Sequence, residues 1–214
     1  MISKGMGRKG FRGIGATVAL LGALLCSWGL TPGQVAAREA FRAKLVAAAV
    51  ERANHYVRYD PKYVAIPYPN GDVPAATGVC TDEIIRTYRA VGIDLQKEVH
   101  EDIVRDTAAY SKHHADANID HRRVENLMIY FRRHGDSLPI TENDADYRPG
   151  EIVTWDLHDG KGKLLGHVGM VVDRQSQAGK RYMILHNIGD GPQIEDVLFA
   201  WKITGHYMYY GKAR

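Results

Sequence analysis

Three residues of this 214-residue chain have types and positions that suit covalent chemistry. Cys80 stands in Gly78-Val79-Cys80-Thr81-Asp82, His167 in Gly166-His167-Val168-Gly169-Met170-Val171-Val172-Asp173, and His186 in Tyr182-Met183-Ile184-Leu185-His186-Asn187. A cysteine opening a helix, then a strand-borne histidine, then a second polar residue on the next strand, is the ordering of a nucleophile, its base and the group that orients the base. A thiol attacks as thiolate, and a free pKa of about 8.5 leaves only a small ionised fraction at neutral pH. A helix N-terminus and an imidazolium both lower that value. Cys80 has the first by position, whereas His167 supplies the second only if the fold brings it close. His186 would hold the other ring nitrogen of His167, and the free backbone N–H of Cys80 would offer an oxyanion donor.

Each residue also has an ordinary reading. A lone cysteine is common in cores, a strand histidine is often half-buried and hydrogen-bonded, and Asn187 before Ile188-Gly189-Asp190-Gly191 suits a turn. A zinc site from one Cys and two His is a further alternative, but the close-spaced ligand pair usual in zinc sites is missing. Asp120-His121-Arg122-Arg123 reads either as a capped, solvated helix start or as an anion clamp, for which the arginine fork is suited. Trp155 and Trp201 either border a cleft or fill a core.

The elements that must position these residues follow from periodicity. Phe41, Leu45, Ala48, Ala49 and Tyr56 predict a docking helix over residues 39 to 56. Three prolines and an Asn-Gly within Pro67 to Pro74 predict a loop delivering the chain to Cys80. Ile84, Tyr88 and Val91, with acids at 82 and 83 and Gly92 as stop, predict a helix beginning at Cys80. Two more are expected: one capped by Asp94 with Leu95, Val99 and Ile103 inward, and one after Asp120 with Val124, Leu127, Met128 and Phe131 inward, ending at Gly135. Beyond Pro149-Gly150 the period changes. Residues 152–155, 167–172, 182–186 and 206–210 predict an antiparallel meander, so the fold class is α+β, with N-terminal helices packed on one face of a sheet.

Lys4, Arg8, Lys9 and Arg12 precede an acid-free apolar run from Ile14 to Leu30, and Val35-Ala36-Ala37 offers small residues for cleavage. Residues 1–37 therefore read as a signal peptide and 38–214 as one domain, exported and most simply periplasmic. An uncleaved membrane anchor is the alternative, and it would be the protein's only contact with a membrane. Leu25 before Cys26 does not suit a lipoprotein signal. The leader carries four of the 28 basic residues and none of the 25 acidic ones, so the remainder has 28 − 4 = 24 basic against 25 acidic, a formal net of −1. That removes any charge-based case for nucleic acid. It also leaves Cys80 as the only thiol, which precludes an internal disulfide.

Gly78-Val79-Cys80-Thr81-Asp82, Arg148-Pro149-Gly150-Glu151-Ile152-Val153-Thr154-Trp155, Gly166-His167-Val168-Gly169-Met170 and Ile184-Leu185-His186 together resemble the motif series of the NlpC-type cysteine peptidases of bacterial cell walls. Tyr68-Pro69-Asn70-Gly71 resembles that family's tyrosine loop beside the nucleophile. The resemblance covers about residues 66 to 187. It implies a papain-like fold, Cys80 as nucleophile, His167 as base and His186 as third member, acting without a cofactor as a monomer on peptidoglycan stem peptides. It departs from the family in having Val-Cys-Thr-Asp where Asp-Cys-Ser-Gly is usual, and in an insertion over roughly 94 to 135. More closely, Tyr68 to Pro74, Gly92 to Gln96, Ile119 to Val124 and Gly205-His206-Tyr207 are similar to an exported bacterial family catalogued as a domain of unknown function.

The expected function is thus an exported cysteine hydrolase cleaving peptide or amide bonds, with Tyr68, Asp82, Arg122, Arg123, Trp155 and Asn187 as candidate substrate contacts. A non-catalytic envelope or cell-wall binding module that retains the fold is the alternative from another class. Lipid or thioester acyl transfer is a third, but permuted relatives with that activity place histidine before cysteine, the reverse of the order here.

Overall fold

The computed structural model describes residues 30–110, 114–158, 160–177, 179 and 181–212. Most of the expected leader, residues 1–29 with Cys26, lies outside the described residues.

Helix α1 spans Pro32–Arg52 and begins earlier than the hydrophobic spacing alone indicates. Thr31 explains the difference: its hydroxyl accepts from the Gln34 amide, Gln34 Oε1 accepts from the Thr31 amide, and Pro32 occupies the first turn. The expected cleavage residues 35–37 therefore lie in the first turns of this helix. Leu45, Val46 and Ala49 bury its inner face, which packs on helix α2 (Cys80–Ala90).

Residues 80–88 of α2 are all buried, so this helix is wrapped on every side. Its charges are tolerated because each is paired: Asp82 with Arg122, Glu83 with Arg52, and Arg86 with Asp72. Helix α3 (Leu95–Arg105) starts under the Asp94 cap, whose carboxylate accepts from the Lys97 amide, and α4 (Val124–His134) stops at Gly135. A short 3-10 turn, Asp120–Arg122, leads into α4.

Strands β1 (Arg58–Tyr59) and β2 (Thr77–Gly78) form a two-residue parallel pair just before Cys80. The other strands are β3 (Asp136–Ser137), β4 (Ile152–Asp156), β5 (Gly166–Gln175), β6 (Tyr182–Asn187), β7 (Pro192–Glu195) and β8 (Lys202–Met208). They form one antiparallel sheet in the order β3-β8-β4-β5-β6-β7. The expected meander holds for β4 to β6. The last strand instead crosses the sheet to pair with β4, Tyr207 opposite Ile152. That placement makes β4 a central strand, and cores on both faces of the sheet bury all five of its residues. Strand β7 is absent from the sequence reading because Pro192 and Glu195 break the apolar signal, and both are admissible on an edge.

The architecture is α+β. One core lies between the helices and one sheet face, joining Leu45, Ile84, Tyr88, Leu127 and Phe131 to Ile152, Val168, Met170 and Leu185. A smaller core covers the opposite face with Tyr147, Val153, Trp155, Val171, Ile184 and Leu198. Residues alternate between the two, as strand geometry requires.

Candidate active site

Cys80 is the first residue of α2. The turn ahead of it is fixed by Asp82, whose Oδ2 accepts from the Val79 amide at 2.7 Å. Gly78 is a close-approach position, because a Cβ there would sit 3.0 Å from Arg86 Nη1 and 3.2 Å from Asp82 Cβ. Cys80 is 5% exposed and packs in the helix-side core. Burial pushes its thiol up to about 12; the Val168 amide pulls the other way, Asp82 adds to the rise, and the Thr81 and Cys80 amides also lower it. Cys80 shares the helix-side core with Val168 of β5, the residue after His167.

Tyr59 also belongs to this neighbourhood. It pairs with Gly78 across β1 and β2, and burial first, then the proximity of Cys80 and Asp82, raises its phenol. Sequence spacing gave no hint of Tyr59, because a two-residue parallel strand has no periodic signature.

His167 and His186 come together as expected. His167 Nε2 lies 2.9 Å from His186 Nδ1, and His186 Nε2 lies 2.8 Å from Glu195 Oε2. Gly169 permits the approach of β5 and β6, since a Cβ there would fall 2.5 Å from Ile184 Cγ2 and 2.8 Å from the Leu185 carbonyl. Burial pushes His167 down to about 3, with His186 adding to the effect. Burial also lowers His186, against the opposing hydrogen bond and charge of Glu195.

These contacts fix a proton arrangement. Glu195, as a carboxylate, can only accept, so His186 carries its proton on Nε2 and leaves Nδ1 as acceptor. His167 must then donate through Nε2, which leaves its Nδ1 with a free lone pair. Nδ1 makes no hydrogen bond among the described residues, and none joins the ring to the Cys80 sulfur. Glu195 is a member the sequence did not reveal, because it sits on the edge strand that went unrecognised.

The other candidates divide. Asp82 and Arg122 are committed to each other: Nε and Nη2 reach the two carboxylate oxygens at 2.8 and 3.0 Å, both side chains are 2% exposed, and Nη1 donates to the Lys62 carbonyl. Both side chains are buried and bonded to each other, which makes the pair a structural clamp and corrects their reading as substrate contacts. Trp155 is fully buried, donates from Nε1 to the Leu198 carbonyl and lies 5.8 Å from the His167 ring centroid, so it packs against that ring and presents no platform. Trp201 meets the same ring edge-on at 5.8 Å. Tyr68 stands against His100 of α3 at 5.2 Å, and it is Tyr59, paired with Gly78, that lies within electrostatic range of Cys80. Arg123 lies within electrostatic range of Asp116 at the start of α4. Asn187 is fully buried; its Oδ1 accepts from the Gly189 amide at 3.2 Å, and its Nδ2 has no partner.

A small cleft of about 130 Å³ opens beside the relay, lined by His186, Ile188, Asp190, Gly191, Gln193 and Glu195. Larger concavities of about 610 and 680 Å³ are lined by α1 and its neighbours, away from the Cys80–His167–His186 set. Among the described residues, no group of three or more His, Cys, Asp or Glu is arranged to hold a metal ion. No helix among them is long and apolar enough to cross a membrane.

No solved structure matches the chain at a significant level. The Escherichia coli (strain K12) protein called "Uncharacterized protein YijF" is 47% identical over 158 residues, covering 72% of this chain and 75% of that protein. The family model described as "Domain of unknown function (DUF1287)" matches residues 46–209, and the chain belongs to that family.

Proposed function

We propose that the protein is an exported cysteine hydrolase of papain-like, NlpC-type architecture that cleaves peptide or amide bonds, with Cys80 as nucleophile, His167 as base and His186 as third member. The observation that carries this reading is the relay Glu195–His186–His167, which leaves His167 Nδ1 as an unprotonated acceptor with no hydrogen bond among the described residues; His167 projects from the face of β5 opposite the helix-side core that holds Cys80, so the proton transfer requires the ring or the thiol to move toward the other. In the resting site both partners are neutral. The Cys80 proton passes to His167 Nδ1 as the sulfur attacks the carbonyl carbon. His167 returns that proton to the leaving amine, and water then hydrolyses the thioester with His167 again as base. His186 and Glu195 hold the ring and stabilise the imidazolium that forms transiently.

The choice of peptidoglycan stem peptides in the periplasm rests on the resemblance of the motif series and on the leader-like N-terminus. The test is digestion of purified sacculi, with products identified by mass spectrometry. Release of stem-peptide fragments by the wild type, and a loss of at least about a thousandfold in Cys80→Ala with the fold intact, is the expected outcome; turnover unchanged in Cys80→Ala removes the enzyme claim.

A second reading, a non-catalytic envelope binding module on the same fold, is favoured by one observation: the thiol is 5% exposed and burial raises it to about 12. Such a module binds sacculi equally well with and without Cys80 and releases nothing.

A further inference from the structure

The side-chain amide of Asn187 is the one part of this neighbourhood whose chemistry remains unused. Asn187 is 0% exposed and ends β6. The Gly189 N–H fixes which end of the amide is oxygen, so the NH₂ end points away from the turn. That Nδ2 is buried and has no partner. Desolvating a donor without pairing it is costly, and nothing in the turn requires it, since Asp would cap Gly189 as well. Among the described residues nothing pairs with this group, which therefore calls for a partner from outside them.

Its position indicates which partner. On β6, Ile184 and His186 lie on the Trp155 face, whereas Leu185 belongs to the helix-side core with Cys80. Alternation puts Asn187 on the Leu185 side. Extending the Met170↔Leu185 register by two residues would set Asn187 opposite Val168, which shares the helix-side core with Cys80. Directly opposed residues have Cβ atoms about 5 Å apart. The unpaired NH₂ thus lies on the sulfur's face of the sheet, one strand over, while the two histidines occupy the other face.

We infer that Asn187 Nδ2 is the side-chain oxyanion donor of the site, binding the carbonyl oxygen of the acyl group that Cys80 attacks. The inference rests on the hydrolase reading and adds the group that would polarise the scissile carbonyl, working with the Cys80 backbone N–H. A donor aimed at developing negative charge is worth most where burial has already excluded water.

The probe is a short peptide aldehyde, acetyl-alanyl-alaninal. The Cys80 sulfur adds to its carbonyl carbon, the C=O π bond opens, and the thiol proton ends on the new oxygen as a hemithioacetal. The reading is the aldehyde concentration that half-protects Cys80 from methyl methanethiosulfonate, a thiol reagent with no carbonyl, followed by intact mass. Asn187→Asp keeps the acceptor for Gly189 and removes the donor; Asn187→Ala is the second variant should the first not fold. At least a tenfold rise in the half-protecting concentration is expected, with the reagent's own rate on the free thiol within about twofold of wild type. An unchanged half-protecting concentration overturns the oxyanion role and leaves the hydrolase reading standing. A rise in the half-protecting concentration matched by an equal fall in the reagent's rate also overturns it, because Asn187 would then act on the thiol or on folding. A wild-type Cys80 that neither adds the aldehyde nor reacts before unfolding removes the hydrolase reading and this inference together.

Discussion

Replacing Arg122 with Met isolates the contact on which the start of α2 at Cys80 depends. In the native protein Arg122 grips both oxygens of Asp82 at 2.8 and 3.0 Å, with both side chains 2% exposed, and Asp82 in turn holds the Val79 amide ahead of Cys80. Removing the guanidinium strands a buried carboxylate with one amide for company, which costs about 3–5 kcal/mol. For a chain of this length that corresponds to a melting point lower by about 6–20 °C, at roughly 2–4 °C per kcal/mol. The double variant Asp82→Leu/Arg122→Met removes both charges and sacrifices the cap on Val79, a loss of about 1 kcal/mol. It should therefore be more stable than Arg122→Met alone. Urea denaturation followed by circular dichroism measures both, and the cycle gives their coupling. A single-variant loss below about 1 kcal/mol, or strict additivity in the double variant, would refute the assignment of this pair as the clamp on α2.

Two other perturbations test the sheet and its histidines. Gly169→Ala places a Cβ 2.5 Å from Ile184 Cγ2 and 2.8 Å from the Leu185 carbonyl, so it should cost about 1–3 kcal/mol by denaturation and part the His167–His186 contact. His167 and His121 are both held down to about 3, chiefly by burial. Their unfolded forms bind protons from about pH 6.5 downward, so their contribution to stability is full above that pH and is lost as pH falls toward 3. Each should add up to about 1.4 kcal/mol per pH unit to the acid slope within that window. His121→Gln should remove its share in pH-dependent melting; an unchanged slope would contradict neutral burial.

The helical half was legible because its signals are local. Gly92, Asp94 and Gly135 mark ends where α2 stops, α3 starts and α4 stops, and the apolar spacing of Ile84–Tyr88 and Val124–Leu127–Phe131 fixes the inward faces. The pairing of His167 with His186 was also within reach, since two consecutive antiparallel strands leave little freedom of register. What escaped depends on distant encounters. Asp82 and Arg122 meet across 40 residues, which turned two apparent ligand contacts into structural ones. Tyr59 comes to the Gly78-Val79-Cys80 segment through a two-residue parallel strand, and β8 crosses the sheet to lie beside β4. Glu195 completes the relay from an edge strand whose proline and acid hide it.

The most direct test is the pH dependence of Cys80 alkylation by iodoacetamide between pH 5 and 9, in wild type and His167→Ala. If His167 Nδ1 takes the thiol proton, the wild-type rate should be nearly flat across this range, because His167 is already neutral above about 3, and it should exceed that of His167→Ala throughout. A thiol without a base at about 12 would instead react about tenfold faster with each pH unit. That slope in the wild type, identical in His167→Ala, or reaction only after unfolding, would contradict a working pair of Cys80 and His167.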